Sequence, residues 1–325
     1  MKVIDNKTDM RHIPEGGVLT IGNFDGVHKG HQKIFSKAKE AAEQKGVALT
    51  AMAFEPHPLA VLMPEKAPGN LTPLALKQQL LEYSGIDCFV VLQSKPELLS
   101  LKASDFINEF LVQAIKPSLV VEGHDFNFGA GRSGSVETLE RIGRDCGFEV
   151  VVVEPQHVTL SNGRKVRVSS SIIRQMLGTG KVNDALIALG RPYRLVGRII
   201  PGRGKGRELG FPTLNMEKPN QILPLDGVYA GTVEVGDRME TVCTSVKRMP
   251  AAFSIGTTRT YQEDHPLLIE AHLLDINAKK VRGEWMAMDF IEFIRRQRRF
   301  ETEKKLSEQI AKDCEQIKAI LTKVL

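Results

Sequence analysis

The first half of the chain alternates short β-branched runs with segments of helix length, and this alternation restricts the fold more than any other feature of the sequence. Strands that alternate with helices form parallel sheets, because each helix carries the chain back to the edge where the next strand starts. The predicted strands are VLTIGNF, VALTAMAF, CFVVLQ, PSLVVEG and FEVVVVEP. We therefore predict an open α/β sheet of roughly five strands from residue 1 to about residue 183.

Beyond the GRPY segment at 190–193 the pattern changes to strand-like pieces separated by Gly and Pro turns. Helices of crossover length are not predicted between these pieces, which favours an antiparallel sheet or a small β-barrel. The pieces are YRLVGRII, DGVYAGTVEV, TVCTSV, AAFSIG and LLIEAHLLD. In the tail, apolar residues recur at spacings of three or four and predict a terminal helix packed on this domain. This apolar stripe comprises Leu306, Ile310, Cys314, Ile317, Leu321 and Val324.

The change of pattern divides the chain into two predicted domains, 1–186 and 187–325. A length of 325 residues also fits two domains better than one or three. With 42% hydrophobic and 26% charged residues, the composition excludes a collagenous or wholly disordered chain. The net charge of +5 suits an enzyme that handles anionic phosphates as well as a weak nucleic-acid binder, so it does not separate these classes.

The sequence shows no apolar run of the length that a signal peptide or a membrane span requires. We therefore expect a cytoplasmic protein with no membrane partner. Its four cysteines are scattered, without the close pairs typical of disulfide frameworks or zinc sites. This scatter favours reduced thiols packed in the core.

A predicted strand, a glycine-containing turn and a predicted helix meet between residues 18 and 46, and the turn leads into two histidines. The backbone N–H groups and the positive dipole end of a helix N-terminus bind anions. His28 and His31 lie three residues apart there, and Gly30 allows close backbone approach, so both imidazoles are predicted to reach one phosphate chain. Two alternatives stay open, a pair of surface histidines near a turn and a zinc site, although the sequence offers no third ligand nearby.

The turn belongs to the segment TIGNFDGVHKGHQ, which resembles the nucleotidylyltransferase signature. Further segments follow in the order found in the prokaryotic bifunctional riboflavin kinase/FAD synthetase family: FEPHP at 54–58, GHDFNFG at 123–129, VSSSIIR at 168–174 and LGRPY at 189–193. The resemblance covers nearly the whole chain. It implies a Rossmann-like nucleotidyltransferase domain at 1–186, and an antiparallel β-barrel riboflavin kinase domain with a terminal helix at 187–325.

For the first domain the resemblance implies adenylylation of FMN by ATP. A phosphate oxygen of FMN attacks the α-phosphorus of ATP and pyrophosphate leaves, so catalysis depends on alignment and charge neutralisation. His28 and His31 are the implied catalytic residues. The implied ATP- or flavin-binding residues are Gly22, Asn23, Phe24, Asp25, Gly30, His57, Asp125, Asn127, Ser169, Ser170, Ser171 and Arg174. Without the resemblance, Asn23 also fits a turn residue and Asp125 a helix cap, and Ser171 keeps a hydroxyl where the family usually carries threonine.

A second candidate site begins in a basic, glycine-rich stretch at 191–210. Alone, this stretch fits a solvated or nucleic-acid-binding loop, but its glycines would also let it close over a nucleotide phosphate. The PTLN sequence that follows places Thr213 and Asn215 on one side of an extended chain. Two neutral oxygens near phosphates suit a Mg²⁺ ion that keeps several waters, whereas a turn followed by a strand is the alternative.

Three segments together resemble the riboflavin kinase module: GRGKGRELGFPTLN, DGVYAG and IEAHLLD. On this resemblance Glu270 is the general base for the riboflavin 5′-hydroxyl, and Thr213 and Asn215 bind Mg-ATP. The charge pattern alone leaves Glu270 as an exposed strand residue, and His272, predicted on the same strand face, as structural. The other implied ligand-binding residues of this module are Gly202, Gly206, Arg207, Gly210, Tyr229 and Arg295.

Two segments depart from the family's pattern. Residues 254–261 are SIGTTRTY where members commonly carry NIGxxPTF, so Ser254 replaces an Asn and Arg259 a Pro. Residues 294–300 are IRRQRRF where members commonly carry LRxExKF, so Gln297 replaces an acid. These departures leave an alternative in which the chain only converts FMN to FAD and its C-terminal domain is a degenerate flavin-binding module.

The resemblance thus predicts phosphorylation of riboflavin to FMN by ATP, followed by adenylylation of FMN to FAD, with Mg²⁺ as cofactor and no nucleic-acid partner. One rival is another nucleotidylyltransferase, such as a cytidylyltransferase, with an unrelated second domain. The GFPTLN segment and Glu270 argue against it. A flavin- or RNA-binding regulator is the second rival, and the retained site residues of both modules argue against it. The sequence yields no prediction about oligomeric partners.

Overall fold

Parallel strands joined by crossover helices build the first of two units in the structure. The structure is a computed structural model that describes residues 1–5, 10–244, 247–257, 267–275 and 281–324. Its two units are Met1–Gly69 with Lys77–His157, and Asn70–Leu76 with Val158–Leu325. The predicted division of the two activities between 1–186 and 187–325 stays a prediction.

The first unit contains every strand that the alternating pattern predicts. Its strands are β1 (Lys2–Asp5), β2 (Val18–Ile21), β3 (Leu49–Glu55), β4 (Cys88–Gln93), β5 (Leu119–Gly123), β6 (Asn127–Phe128), β7 (Gly134–Ser135) and β8 (Glu149–Val153). Among the described residues, six of these strands form one parallel sheet in the order β1-β4-β3-β2-β5-β8. The sheet therefore has one more strand than predicted, because the four mostly exposed residues of β1 form no apolar run.

Helices connect these strands. They are α1 (Lys29–Lys45), α2 (Pro58–Leu62), α3 (Leu74–Tyr83), α4 (Pro96–Leu99), α5 (Ala103–Phe106) and α6 (Val136–Cys146), with a π-helical segment at Ile107–Ile115. The helix α1 buries Phe35, Ala38 and Ala42, whose spacing forms the apolar face of an amphipathic helix. Gly46 ends α1 in the left-handed conformation, with φ of 65°.

The sheet opens between β2 and β5. The strand β2 stays paired with β3 as far as Ile21, whereas its pairing with β5 ends at Leu19. The chain runs from β2 to β3 and β4 on one side and from β5 to β8 on the other, so the strand order reverses between β2 and β5. Open α/β sheets bind ligands at the carboxyl ends of the strands that flank such a reversal.

The remaining elements belong largely to the second unit. The strands are β9 (His157–Thr159), β10 (Lys165–Arg167), β11 (Tyr193–Ile200), β12 (Thr213–Met216), β13 (Gly227–Gly236), β14 (Met249–Thr257), β15 (Leu267–Leu273) and β16 (Trp285–Arg296). The helices are α7 (Ser170–Gly178), α8 (Val182–Leu189), α9 (Lys205–Glu208), α10 (Met239–Thr244) and α11 (Glu303–Val324).

The predicted antiparallel barrel is confirmed. Within the described ranges, six strands close it in the order β11-β12-β15-β14-β13-β16, and every neighbouring pair is antiparallel. Large aromatic side chains fill its interior, and Tyr229, Phe253 and Phe290 are at most 1% exposed. The helices α7 and α8 contribute Ile173 and Ala185 to the same hydrophobic cluster.

Two local predictions in the second unit fail. The described part of TVCTSV lies in the helix α10 and not in a strand. Val242 is buried there and its carbonyl oxygen accepts a hydrogen bond from Arg194 Nη1 at 2.9 Å, so tertiary contacts override the β-propensity of the segment. The strand β16 is absent from the predicted pieces, because the buried charge of Asp289 interrupts its apolar run.

The predicted terminal helix is α11. It buries Cys314, Ile317 and Leu321 of the apolar stripe, whereas Val324 at its end is 57% exposed. In the part of the chain that the structure describes, no helix is long and apolar enough to cross a membrane.

All four cysteines lie among the described residues and are free thiols. Cys88, Cys243 and Cys314 are buried, as predicted. Cys146 is exposed, so the prediction of packed thiols is wrong for this residue, which is the last residue of α6 before the helix cap.

Candidate functional sites

The loop at residues 22–28, called the histidine loop below, connects β2 to α1 through strained backbone. Phe24 and Val27 have positive φ angles of 47° and 40°, which non-glycine residues rarely adopt. Both side chains are buried, and the Phe24 ring packs edge-on against Phe35 with centroids 4.9 Å apart. Core packing therefore holds the loop in a conformation that its residues do not prefer, as is common at functional sites.

The two histidines lie against each other at the start of α1. His28 is the N-cap residue, and its Nδ1 accepts a hydrogen bond from the His31 backbone N–H at 3.3 Å. The two rings stack with centroids 3.6 Å apart. Because Nδ1 accepts, the hydrogen of a neutral His28 ring lies on Nε2. The structure thus brings the predicted pair together at the positive end of a 17-residue helix with no acid in its first turn.

The neighbouring strands carry other predicted residues at their carboxyl ends. Asn23 Nδ2, after β2, lies 3.1 Å from His57 Nε2, after β3. Asp125 and Asn127 follow β5, and the Asn127 amide donates to the Asp125 carbonyl oxygen at 2.7 Å. The strands β2 and β5 flank the opening of the sheet, and β3 lies beside β2. These predicted ligand residues therefore gather at the carboxyl ends of the strands around the opening, where an open α/β sheet binds ligands.

The other predicted residues of the histidine loop are its glycine and acid. A side chain at Gly22 would place Cβ 2.9 Å from the Phe24 ring, so this position requires glycine. Asp25 is only 6% exposed. Gly30 lies in the first turn of α1. Among the described residues, no three His, Cys, Asp or Glu side chains are placed to hold one metal ion.

The serine segment forms the start of α7. Ser169 is the N-cap, and its Oγ accepts the Ile172 backbone N–H at 3.3 Å. Ser170 and Ser171 are the first two residues of the helix, and Arg174 is one turn further on. The hydroxyls therefore lie at a helix N-terminus, and their assignment to ATP phosphates stays a prediction.

The barrel brings together the three residues predicted for the kinase site. Thr213 and Asn215 lie on β12, and Asn215 is paired with Glu270 on β15. Thr213 Oγ1 donates to Glu270 Oε1 at 3.3 Å, and Asn215 Nδ2 donates to Thr213 Oγ1 at 3.5 Å. Glu270 is half-buried, which corrects the exposed position that its charge pattern suggests. Burial raises the pKa of Glu270, and the Thr213 hydroxyl and the Arg203 charge partly offset this rise.

The glycines before β12 allow the chain to lie directly on these side chains. A Cβ at Gly202 would come within 2.2 Å of Asn215 Nδ2, and one at Gly206 within 2.4 Å of the Phe211 carbonyl oxygen. Gly210 has a φ of 88°, a conformation that favours glycine. Arg207 is exposed on α9. The glycine-rich loop therefore forms part of the wall around Asn215.

The basic side chains of the stretch at 191–210 do not form one continuous surface. Arg194 Nε and Nη2 donate to the two carboxylate oxygens of Asp289 at 2.8 and 2.6 Å, inside the unit. Arg203 lies further along and acts on Glu270. The earlier part of the stretch is therefore structural. His272, predicted to be structural, lies with Nδ1 at 2.9 Å from the Pro212 carbonyl oxygen.

Two predicted ligand residues make internal contacts. Tyr229 is fully buried, and its hydroxyl donates to the Leu225 carbonyl oxygen. Arg295 donates to Asp313 of α11 through Nε at 2.9 Å and Nη2 at 2.7 Å. Both side chains are therefore engaged in contacts that stabilise the barrel and its helix, and their ligand-binding roles stay predictions.

Sequence reasoning missed several residues near the two sites. Glu122 is a buried acid in β5 that accepts the Ile21 N–H. The sequence feature that could have identified Glu122 is a single charge near the end of an otherwise apolar strand. Ser254 and Gln297 are noted in the sequence only as departures from a pattern, and the structure shows that they contact each other. Residues 258–261 of the first departure, including Arg259, lie outside the described residues.

The chain matches two families, one in each half. Residues 10–171 match FAD synthetase, and residues 189–321 match riboflavin kinase. The bifunctional riboflavin kinase/FMN adenylyltransferase of Escherichia coli K12 is 34% identical over 314 residues, which cover 96% of each chain. The protein of the same description from Bacillus subtilis strain 168 is 35% identical over 302 residues, which cover 91% of this chain and 90% of the relative.

A solved structure shares the fold over nearly the whole length. It is described as a macrolide-efflux protein from Streptococcus pneumoniae, is 27% identical, and aligns with a TM-score of 0.81 over 97% of this chain and 98% of its own. The order of the matched families, the identity to the curated relatives and their coverage agree with the resemblance that the sequence motifs carry. The chain therefore belongs to the family of bifunctional riboflavin kinase/FMN adenylyltransferases.

Proposed function

We propose that this chain phosphorylates riboflavin to FMN with ATP and then adenylylates FMN to FAD with release of pyrophosphate. The observation that carries the proposal is the hydrogen bond between Thr213 and Glu270, residues 57 positions apart in the sequence. It joins the predicted phosphate-side residue to the predicted base in the half of the chain that matches riboflavin kinase. The stacked histidines support the second activity in the half that matches FAD synthetase.

In the kinase reaction, Glu270 accepts the proton of the riboflavin 5′-hydroxyl while the oxygen attacks the γ-phosphorus of ATP and ADP leaves. A carboxylate whose pKa is raised by burial is a better proton acceptor than an ordinary glutamate, provided that it is ionised. The Thr213 hydroxyl, within hydrogen-bond distance, orients the carboxylate. Glu270 therefore holds the transferred proton at Oε1 or Oε2 until it passes to solvent.

The Thr213 and Asn215 side chains suit a divalent cation such as Mg²⁺. Each side chain carries a neutral oxygen ligand, a hydroxyl or an amide carbonyl, and Thr213 Oγ1 lies 3.3 Å from Glu270 Oε1 and 3.5 Å from Asn215 Nδ2. Mg²⁺ prefers oxygen ligands and keeps several waters when it bridges a protein to ATP phosphates. When bound, the ion would neutralise phosphate charge. The protein's own contribution is to hold Thr213 beside the base and Asn215 beside Thr213.

In the adenylyl transfer, a phosphate oxygen of FMN attacks the α-phosphorus of ATP, and the bond to pyrophosphate breaks. His28 and His31 donate hydrogen bonds to the phosphate chain and offset the charge that develops on the leaving group. The helix N-terminus adds its dipole to the same end. Ser169, Ser170, Ser171 and Arg174 are the further phosphate-binding candidates. The cytoplasmic location and the lack of a nucleic-acid partner belong to the same proposal.

Separate assays of the two reactions test the proposal. Purified full-length protein is incubated with ATP and Mg²⁺ and either riboflavin or FMN, and the products are separated by HPLC while pyrophosphate is measured. We expect FMN and then FAD from riboflavin, and FAD with equimolar pyrophosphate from FMN. Formation of FAD from FMN without any conversion of riboflavin would show that the second unit is a degenerate flavin-binding module. Absence of both products would refute the proposal.

A further inference from the structure

Glu122 is a buried acid to which the proposed reactions assign no role. It is the fourth residue of β5 and is only 2% exposed. Acidic side chains are rarely buried so fully unless a specific partner holds them. The partner here is the main chain of the next strand, β2.

The carboxyl group replaces a missing bond between two strands. Pairing of β2 with β5 ends at Leu19. The Gly22 N–H donates to the Met52 carbonyl oxygen of β3 at 2.9 Å. Successive residues of a strand bond to opposite neighbouring strands, so the Ile21 N–H faces β5. Glu122 Oε1 accepts this N–H at 2.5 Å. A side-chain oxygen therefore stands where a β5 carbonyl oxygen would stand in an unbroken ladder.

This contact joins the starting points of two loops. Ile21 directly precedes the histidine loop, which ends at His28. Glu122 precedes the loop that carries Asp125, and the Asp125 charge acts on the Glu122 carboxyl. One side chain thus connects the backbone on both sides of the opening where strand order reverses.

Burial favours the protonated form of the Glu122 carboxyl. Burial raises its pKa well above the ordinary glutamate value, and the Ile21 N–H offsets only part of this rise. A protonated carboxyl keeps one carbonyl oxygen as an acceptor for Ile21. Glutamine has the same length and the same acceptor oxygen, so it reproduces this form of the side chain.

We propose that Glu122 is a positioning residue for FMN adenylylation, which accepts the Ile21 N–H in place of a β5 carbonyl and so holds β2 and β5 apart and the histidine loop in place. The inference rests on the proposed adenylyl transfer. In this role Glu122 does not contact ATP or FMN. It acts on the reaction through the backbone of β2.

Three variants of the full-length chain test this role. Glu122→Gln keeps the acceptor, Glu122→Leu removes it, and Glu122→Asp withdraws the carboxyl by one methylene. Thr50→Val is the matched control, because Thr50 is a 1% exposed polar residue on β3, which pairs with β2 and β4 and is not one of the two strands at the opening. The kcat and KM for FAD formation from FMN, riboflavin phosphorylation by the same samples, and the thermal midpoint are measured for each.

We expect Glu122→Gln and Thr50→Val to keep kcat/KM for FAD formation within about threefold of the wild type. Glu122→Leu should lower it by roughly 10–100-fold, since a displacement of about 1 Å at a reacting group costs on this order. The kcat/KM of Glu122→Asp should lie between those of Glu122→Gln and Glu122→Leu. If the leucine variant does not fold, the aspartate variant tests the inference in its place. Riboflavin phosphorylation should stay unchanged in every folded variant.

Unchanged FAD formation in folded Glu122→Leu or Glu122→Asp would overturn the inference, as would equal losses in Glu122→Gln and Glu122→Leu. A parallel loss of both activities, or a loss in Thr50→Val equal to that in Glu122→Leu, would show that Glu122 supports the fold and not the loop. A wild-type protein that makes no FAD from FMN would instead refute the proposed function, and the inference with it.

Discussion

Gln297 Nε2 donates a hydrogen bond to Ser254 Oγ at 2.9 Å, and these are two positions at which the chain departs from the pattern of the family it resembles. Ser254 lies on β14 directly opposite Glu270 on β15. The two departures are therefore neighbours in the barrel, and one of them adjoins the proposed base. The Ser254 hydroxyl and the Gln297 amide stand where the family pattern has an asparagine and an acid.

A charge at position 297 should disturb the kinase site. Gln297→Glu removes the donor to Ser254 and places a carboxylate near Glu270, and like charges raise the pKa of a carboxyl. We expect the acid limb of the pH profile of kcat/KM for riboflavin phosphorylation to move to higher pH by about one pH unit. The double variant Gln297→Glu with Ser254→Asn should reverse most of this shift, because an asparagine amide donates to the new carboxylate. Additive effects in a double-mutant cycle would contradict a coupled pair.

The proposed base can be tested by removing its proton acceptor. Glu270→Gln keeps the size of the side chain but cannot take the hydroxyl proton, so riboflavin phosphorylation should fall by roughly 10²–10⁴. FAD formation from FMN serves as the internal control and should not change. A variant that phosphorylates riboflavin at the wild-type rate would rule out Glu270 as the base.

The raised pKa of Glu270 also sets a pH dependence. The proposed base acts in its ionised form, and burial raises its pKa from the ordinary glutamate value. The kcat/KM for riboflavin phosphorylation should therefore fall as pH drops through this raised pKa, and recover on the alkaline side. The pH profile of FAD formation should lack this acid limb. An identical acid limb in both profiles would point to unfolding and not to Glu270.

The histidine pair should matter for one reaction only. Replacing both His28 and His31 with alanine removes two donors to the phosphate chain, which should raise the adenylylation barrier by roughly 3–4 kcal/mol or more. FAD formation should become undetectable or nearly so in HPLC assays, whereas riboflavin phosphorylation continues. Equal loss of both activities with an intact circular dichroism spectrum would contradict separate sites.

The ion pair between Arg295 and Asp313 should contribute to the stability of the second unit. Asp313 is 4% exposed and takes three contacts from the Arg295 guanidinium, so Asp313→Ala leaves a mostly covered arginine without its ion-pair partner. We expect a loss of roughly 3–5 kcal/mol in the free energy of unfolding. The double variant Arg295→Met with Asp313→Leu removes both charges and should lose much less. Denaturant unfolding of the three proteins checks this order.

The sequence alone was sufficient to predict the elements whose formation depends on adjacent residues. The alternating pattern predicts the parallel strands around β2, and the turn before His28 predicts the helix that begins there, because periodicity and turn preferences act over a few residues. The PTLN segment places Thr213 and Asn215 on one face for the same reason. The family motifs then predict the residues of both sites.

Only the tertiary structure decided which distant residues meet. Thr213 reaches Glu270 across 57 residues, and Arg194 reaches Asp289 across 95. The same holds for Glu122 and Ile21, which are 101 residues apart. Strand register and the burial of a charge depend on the packing of the whole unit, and no local pattern encodes them. That is why α10 forms a helix where β-branched residues predict a strand, and why a charged residue in β16 is buried beside Arg194.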